Sequence, residues 1–340
     1  MTRRLGWCAE GDLFWGEHLK RTRALLIAVL VLAPAAAAPP AAAAACGYDR
    51  RDLPAPAGAD HHRATGSSTN NSRIVGWYSP SGGYARGVLW VNSTLREMAP
   101  LHFNVRPTAV NNTSVVAGYE EVHRGELGSL YRAFRYENGA YEYLGTEPGE
   151  HSRATGVNDA GDVVGTVWRE ESPLVRTVVL WPRNGTRKSF GQGVAIGVTG
   201  QKIVMTTDWS GWVVDTGTGV RTELPGAGLP MVLDNDRVLN TEYLGGGRVQ
   251  LTEWDLNGVR VGAYDGGFKP LGKNGSGTVF GAHGDSTPAL WRKTGRTDVV
   301  ADRLPDVHEY ADVTDAATLI GTYEGADGKP RAARWLWICS

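Results

Sequence analysis

Four short segments hold residue types that could do chemistry, and each lacks part of the set that its chemistry requires. Gly267-Phe268-Lys269-Pro270-Leu271-Gly272-Lys273 has the glycine spacing and the lysine of a phosphate-binding loop. Asn274 then stands where the magnesium-holding Ser or Thr belongs. Asn274-Gly275 turns into Val279-Phe280 where a helix should start, so no helix dipole would converge on phosphate. His308-Glu309 lacks the second histidine, four residues on, of a zinc-protease helix. His61-His62 has no further His or Cys at ligand spacing. Asp234 and Asp236 read as turn formers, because Val238 occupies a position where a calcium loop supplies oxygen. No Gly-x-Ser-x-Gly nucleophile elbow occurs. The sequence therefore assigns no catalytic residue, no cofactor and no metal.

The elements that would carry any site are short. From Cys46 onward no apolar spacing of the helical kind is sustained. Runs of Val, Ile, Leu, Trp and Tyr are broken every few residues by Gly, Asn, Asp or Pro, the pattern of strands and tight turns. A β-branched or apolar pair followed in most cases by a small residue recurs about every 41 residues. The copies are Ile74-Val75-Gly76, Val115-Val116-Ala117-Gly118, Val163-Val164-Gly165, Ile203-Val204-Met205, Val238-Leu239-Asn240, Val279-Phe280-Gly281 and Leu319-Ile320-Gly321. Most follow a turn rich in Asn, Asp and Gly, such as Asn111-Asn112 or Asn158-Asp159-Ala160-Gly161, and most precede an aromatic strand such as Val88-Leu89-Trp90 or Val179-Leu180-Trp181. Four short strands in about 40 residues make one propeller blade. The expectation is an all-β, seven-bladed β-propeller of four-stranded units, with the Trp residues packed between blades. Met205 and Asn240 stand where glycine is expected, which leaves six or eight blades open.

Ala154-Thr155-Gly156-Val157-Asn158-Asp159-Ala160-Gly161-Asp162-Val163-Val164-Gly165, followed by Val179-Leu180-Trp181, resembles the repeat of the extracellular HAF family. The likeness extends over roughly residues 60 to 340, weakest in the fourth and fifth units. It implies a repeat-built, surface or secreted β-protein and brings neither catalytic residues nor a ligand.

The segment from Leu53-Pro54 to Thr65-Gly66 parallels Leu144-Gly145 to Thr155-Gly156, so the residues after Gly47 read as an outer strand without a blade of their own. The last unit, from Glu309, has every strand but that one. Pairing the two would close the ring. Residues 1–45 read as a secretory signal peptide, with Lys20, Arg21 and Arg23 before the apolar run Ala24–Leu32 and an Ala/Pro tract after it. Their length and polarity before that run leave a start downstream of Met1 open. Residues 46–340 then form a single domain holding only Cys46 and Cys339, one beside each end. In an oxidising compartment that pair reads as a disulfide. The competing reading is lipid attachment at Cys46 after Ala43-Ala44-Ala45, which would anchor the protein at the outer face of the cell membrane.

Without its first 45 residues the chain carries 30 Lys and Arg against 33 Asp and Glu, so nucleic acid is not an expected partner. No transmembrane segment is expected in residues 46–340, and a monomer is expected. The function expected is that of a non-catalytic binding or scaffold module for an extracellular glycan, cell-wall component or protein. The alternative is a hydrolase or lyase with carboxylates meeting at the channel mouth. The longest insertions, Tyr119–Tyr131 and Arg169–Val175, follow the same strand in consecutive units and are the candidate binding face. Its residues are Tyr119, Glu120, Glu121, His123, Arg124, Tyr131, Arg169, Glu170 and Glu171.

Overall fold

The computed structural model describes residues 46–339 apart from 208–209, 227–230, 235, 246–247, 266–267, 274–276, 278, 284–287, 292–306 and 315–317. The expected leader lies outside the described residues, as do Gly267 and Asn274 of the lysine-glycine segment. Strand β1 (Cys46–Asp52) is followed by a first sheet of β2 (Ala59–Ser67), β3 (Arg73–Pro80), β4 (Arg86–Val91) and β5 (Thr94–Glu97). The second holds β6 (Asn104–Val110), β7 (Val116–His123), β8 (Ser129–Glu137) and β9 (Ala140–Tyr143); the third β10 (Glu150–Val157), β11 (Val163–Arg169), β12 (Ser172–Trp181) and β13 (Lys188–Gln192). The fourth comprises β14 (Val194–Thr199), β15 (Lys202–Thr207), β16 (Ser210–Asp215) and β17 (Arg221–Leu224). The fifth comprises β18 (Met231–Asp234), β19 (Arg237–Gly245), β20 (Arg248–Asp255) and β21 (Arg260–Asp265). Then come three strands, β22 (Phe268–Lys273), β23 (Val279–His283) and β24 (Pro288–Trp291), and finally β25 (Val307–Val313), β26 (Leu319–Glu324) and β27 (Pro330–Cys339). Strand β1 pairs antiparallel with β27, from Cys46 opposite Cys339 to Asp52 opposite Ala333.

The first strands of successive sheets touch in order, β2 to β6, β10, β14, β18, β22 and β25, and β25 touches β2. This is a β-propeller. The expectation of seven four-stranded units needs correction: six sheets have four antiparallel strands, and the sheet on the sixth repeat has three among the described residues. The 292–306 segment that follows it is not described.

The recurrent apolar pair sits on the second strand of each sheet, and its members with described side chains are buried, which favours apolar residues there. The two members divide the work between neighbours. Val75 packs toward the second sheet with Val105 and Val116, while Ile74 packs back against Ile320 and Ala332 of the last. Val164 likewise faces Ile203 and Val214 of the fourth sheet, and Val163 faces Ala117 and Ala133 of the second. Trp90, Trp181, Trp254 and Trp335 are all buried in these layers.

The glycine after the pair has a steric cause. In five inner strands a β-bulge shifts register beside it, at Ala64/Gly66, Pro107/Ala109, Ala154/Gly156, Pro270/Gly272 and Tyr310/Asp312, and a sixth bulge, Ala195/Gly197, stands opposite Met205. A Cβ on Gly165 would overlap the Arg153 carbonyl oxygen and lie 2.8 Å from the Trp181 ring, and one on Gly118 would lie 2.7 Å from the Phe134 ring. Where the glycine is missing, the neighbours differ. In the fourth sheet Val214 replaces the large aromatic opposite Ile203, and Met205 fills the space. In the fifth, Asn240 accepts a hydrogen bond from Trp254 Nε1 at 3.0 Å.

The Asn-rich turns link blades laterally. Asn111 Oδ1 accepts from its own turn at Val115 N, 2.8 Å, while its Nδ2 donates to Asn158 O of the next blade, 2.8 Å; Asn158 Nδ2 donates onward to Gly200 O, also 2.8 Å. The third residue after each turn's opening position takes positive φ, at Asn71, Ser114 and Gly161.

Gly165→Ala is expected to cost about 3 kcal/mol or more through overpacking against backbone and indole, whereas Gly145→Ala, with open space around its Cβ position, should leave the urea midpoint within experimental error of the parent. A second expectation concerns His62, whose buried ring accepts the Ala332 N–H at 3.0 Å. Burial, reinforced by the Arg331 charge, pushes its pKa down to about 4. The unfolded chain takes up this proton near pH 6.5 and the folded one only near 4, so stability falls as pH drops through that window, by roughly 3 kcal/mol from this group. In His62→Asn, whose amide oxygen can accept the same bond, melting temperatures across that window should fall less steeply than in the parent.

Candidate functional site

Two places could hold a ligand: the space between the inner strands, and the face at the N-terminal ends of those strands. The first is a cavity of about 640 Å³ reached by Thr65, Thr108, Thr155, Ile196, Leu233 and Ala311. Its wall is mainly Thr, Gly and aliphatic side chains. Thr65 donates to Pro107 O at 2.8 Å and Thr108 to Ala154 O at 3.0 Å, each reaching the next blade. Three carboxylates line it, and each serves a turn or an inner strand. Asp312 accepts from Ser67 N and Oγ at 2.9 and 2.7 Å, Asp159 from Asn112 N at 3.0 Å, and Asp162 from Arg183 N at 2.9 Å. Among the described residues no group of three or more His, Cys, Asp or Glu is placed to hold a metal ion.

The second place is built by the hairpins expected to form a binding face. Their lengths are mostly strand: β7 runs to His123 and β8 starts at Ser129, leaving a turn with a 3-10 segment at Gly125–Leu127, while β11 ends at Arg169 and β12 begins at Ser172. The two hairpins stand side by side. Arg124 donates to Glu170 at 3.0 Å across their tips, and Tyr131 lies 5.9 Å from Trp168. Tyr119 meets Tyr131 edge-on at 5.8 Å, and the Tyr131 hydroxyl faces Glu121 at 3.4 Å. His123 sits farther out beside Asn104 and Ser129. Arg169 pairs with Glu147 and approaches the exposed Glu171 at 3.9 Å. Glu120 does not belong to this face, which corrects that expectation. As a strand residue opposite in side to Tyr119 and Glu121, it is buried and held by Arg132 at 2.5 Å and the Tyr143 hydroxyl at 2.8 Å. Burial and that carboxylate push Tyr143 up to about 12.

The structure adds residues that spacing alone did not single out. Arg63, Arg106 and Arg153 occupy the same inner-strand position in the first three blades, opposite Trp77, Tyr119 and Thr166. Each of the latter two arginines reaches back over the preceding blade's aromatic. Arg106 lies 3.9 Å from the Trp77 ring centre, and Arg153 lies 4.7 Å from Tyr119 and 3.8 Å from Tyr131. His151 stacks on Trp168 at 5.3 Å and 9°, its pKa lowered by burial. Arg63 pairs with Glu309. Arg106 and Arg153 make neither ion pair nor hydrogen bond among the described residues; Arg106 Nη1 and Arg153 Nε are buried without a partner. Desolvation chiefly, with a smaller push from the like charge of Arg63, lowers the pKa of Arg106. The sequence does carry a signal for these residues: Arg63-Ala64-Thr65, Arg106-Pro107-Thr108 and Arg153-Ala154-Thr155 repeat Arg-x-Thr at the bulge.

No family model matches this chain, and no curated protein matches it. Solved structures do. A chain of the mitotic checkpoint complex is 13% identical, with a TM-score of 0.53 over 93% of this chain and 98% of that one. A puromycin-hydrolyzing peptidase of Mycobacterium tuberculosis is also 13% identical with a TM-score of 0.53, over 83% of this chain and 54% of that one. The chain thus spans about half the length of that peptidase. At this identity both likenesses concern the fold alone, and they agree with the propeller class that the sheets define. No helix among the described residues is long and apolar enough to cross a membrane.

A half-buried arginine without a counter-ion adds little to folding, since its desolvation offsets a cation–π contact worth about 0.5–2 kcal/mol. Arg106→Met is therefore expected to shift unfolding free energy by no more than about 1 kcal/mol in either direction, checked by chemical denaturation. A loss of several kcal/mol would mark Arg106 as structural.

Proposed function

We propose that the chain is a secreted, non-catalytic binding propeller whose ligand lies on the face formed by the Tyr119–Tyr131 and Arg169–Val175 hairpins and the neighbouring inner-strand arginines. The observation that carries this reading is the contrast between two sets of charges. Carboxylates of the cavity are consumed by backbone and turn donors, whereas the Arg106 and Arg153 side chains are held on aromatic rings and make no ion pair or hydrogen bond among the described residues. Charged groups left unmatched on a rigid scaffold are what a binding surface supplies.

The same reading takes the sheet β22–β24 as a seventh blade and β1 as the strand that closes the ring, in a member of the HAF-repeat class. Supporting the closure, β1 runs beside β27 without a register shift. The Cys46 and Cys339 side chains lie outside the described ones, so their cross-link rests on backbone position. Leu53 N donates to Ala332 O, which makes Leu53–Ala332 a hydrogen-bonded pair and, counting along the ladder, places Cys46 and Cys339 at a non-hydrogen-bonded pair. Such pairs have Cα atoms about 4.5 Å apart, within the roughly 4.4–6.8 Å that a disulfide spans. Intact mass of the secreted protein should show two alkylated cysteines only after reduction. A diacyl increment on Cys46 would instead establish the lipid-anchored form.

Binding is tested on arrays of cell-wall polysaccharides and immobilised envelope proteins, with a reducing-end assay on each retained glycan and electrophoresis of each retained protein. The expected result is retention without cleavage, abolished in Tyr131→Ala/Trp168→Ala. Cleavage of a retained probe would favour the hydrolase or lyase alternative. Failure to retain any probe, or retention unchanged in the double variant, would overturn the proposed face.

A further inference from the structure

We infer that this face recognises an acidic polysaccharide, a chain of sugars bearing spaced carboxylates, through an arc of three arginines on consecutive blades. The inference rests on the binding role proposed above and goes further in naming the ligand chemistry. Arg63, Arg106 and Arg153 recur once per blade, each one residue before the bulge, so the arc presents one cation on each of three consecutive blades. Arg106 and Arg153 lie 3.9 and 3.8 Å from the ring centres of Trp77 and Tyr131, and Arg106 Nη1 and Arg153 Nε have no hydrogen-bond partner among the described residues, so these guanidinium donors remain to be met by an acceptor. A planar fork with free edges matches a carboxylate in two parallel hydrogen bonds. Trp77, Tyr119, Tyr131 and Trp168 lie between and beside the arginines, and their half-buried rings suit the C–H faces of a pyranose next to its carboxylate.

The surrounding charges limit how dense the ligand's charge can be. Glu309 holds Arg63, Glu121 lies near Arg106, and Glu170 holds Arg124. A polyanion with closely spaced phosphates would meet these carboxylates along with the arginines, while a sugar chain with one charge per residue can alternate with them. An acidic peptide is the weaker fit, because the arc offers donors and flat rings without an unpaired edge on β7 or β11 for a backbone to join. The arc also ends where its pattern ends. In the third blade Thr166 replaces the aromatic opposite the arginine and accepts a hydrogen bond from Ala195 N at 3.0 Å, and Val194 takes the arginine's place in the fourth.

The test titrates the secreted protein, by isothermal calorimetry, with polygalacturonate, with the same polymer after carboxyl reduction, and with polyglutamate. Polygalacturonate is expected to bind with an affinity that falls with added salt, and the reduced polymer is expected to bind at least about tenfold more weakly, as loss of charge-assisted hydrogen bonds implies. Arg106→Met/Arg153→Met should lose binding by a similar factor while its melting temperature stays near the parent's. Arg96→Met, on the exposed outer strand β5, should bind as the parent does. If the double variant is poorly folded, Arg106→Lys/Arg153→Lys keeps both charges and should still weaken binding through loss of the bidentate edge. Equal binding of the carboxyl-reduced polymer at the same face would overturn this inference and leave the binding role standing. Polyglutamate binding as tightly as polygalacturonate would overturn it in favour of an acidic peptide. Failure of polygalacturonate to bind, or binding indifferent to both double variants, would overturn it outright.

Discussion

The close approach of the inner-strand bulge to the second strand is the contact on which the rest of the structure depends. At the bulges of the first, second, third and last sheets a backbone carbonyl is turned toward the glycine opposite, and an aromatic ring from the third strand closes over the same spot. Only a residue without Cβ fits between them at Gly165. With that space filled by backbone and indole, the adjoining apolar pair is left to face the two neighbouring blades, one residue to each. The indole N–H then reaches past its own sheet: Trp90 Nε1 donates to Pro54 O at 2.9 Å, just beyond β1, and Trp181 Nε1 to Gly145 O at 3.3 Å, just beyond β9. One steric fit thus sets packing within a blade and a polar tie to the preceding one.

This interlock explains why so much of the architecture was legible in the sequence. Its parts, a β-branched pair, a glycine and a Trp some 15 residues on, recur at fixed spacing, and each is forced by contact with the others. The exceptions are equally physical. Met205 could replace glycine because Val214 is small, and Asn240 could because its oxygen receives the Trp254 N–H, so the fourth and fifth units hide a preserved fit behind changed letters. The sixth repeat shows its pair and Trp291 in the sequence, yet only three of its strands belong to the described sheet.

The site was legible in a coarser way. Insertion length located the two hairpins, and their juxtaposition follows from consecutive blades sharing one orientation. Side was harder to read: Glu120 alternates away from Glu121, a period-two consequence that becomes visible only once β7 is known to continue to His123. The arginines were obscured because they lie in the repeat itself, where a residue is easily taken for scaffold.

That placement bears on how a symmetric fold acquires a unique surface. Six of the sheets offer the same position before an inner-strand bulge, and in the second and third blades its side chain lies over an aromatic ring of the preceding blade. Occupying it with arginine in three successive blades, and with aromatic partners in the first two, produces a sector rather than a ring. The neighbouring Thr166 and Val194 return the position to ordinary packing, and the hairpins are long in the second and third blades, beside the arginines they cover. Arg135 shows the contrast within one blade: buried on the outer side, it is paired with Glu142 and donates to Trp181 O at 2.9 Å, so its charge is consumed by the fold. Among the described residues the Arg106 and Arg153 side chains make no such ion pair or hydrogen bond. The residue just before the bulge is arginine in the first three blades and Val194 in the fourth, so this position varies while the bulge and the apolar pair beside it are kept.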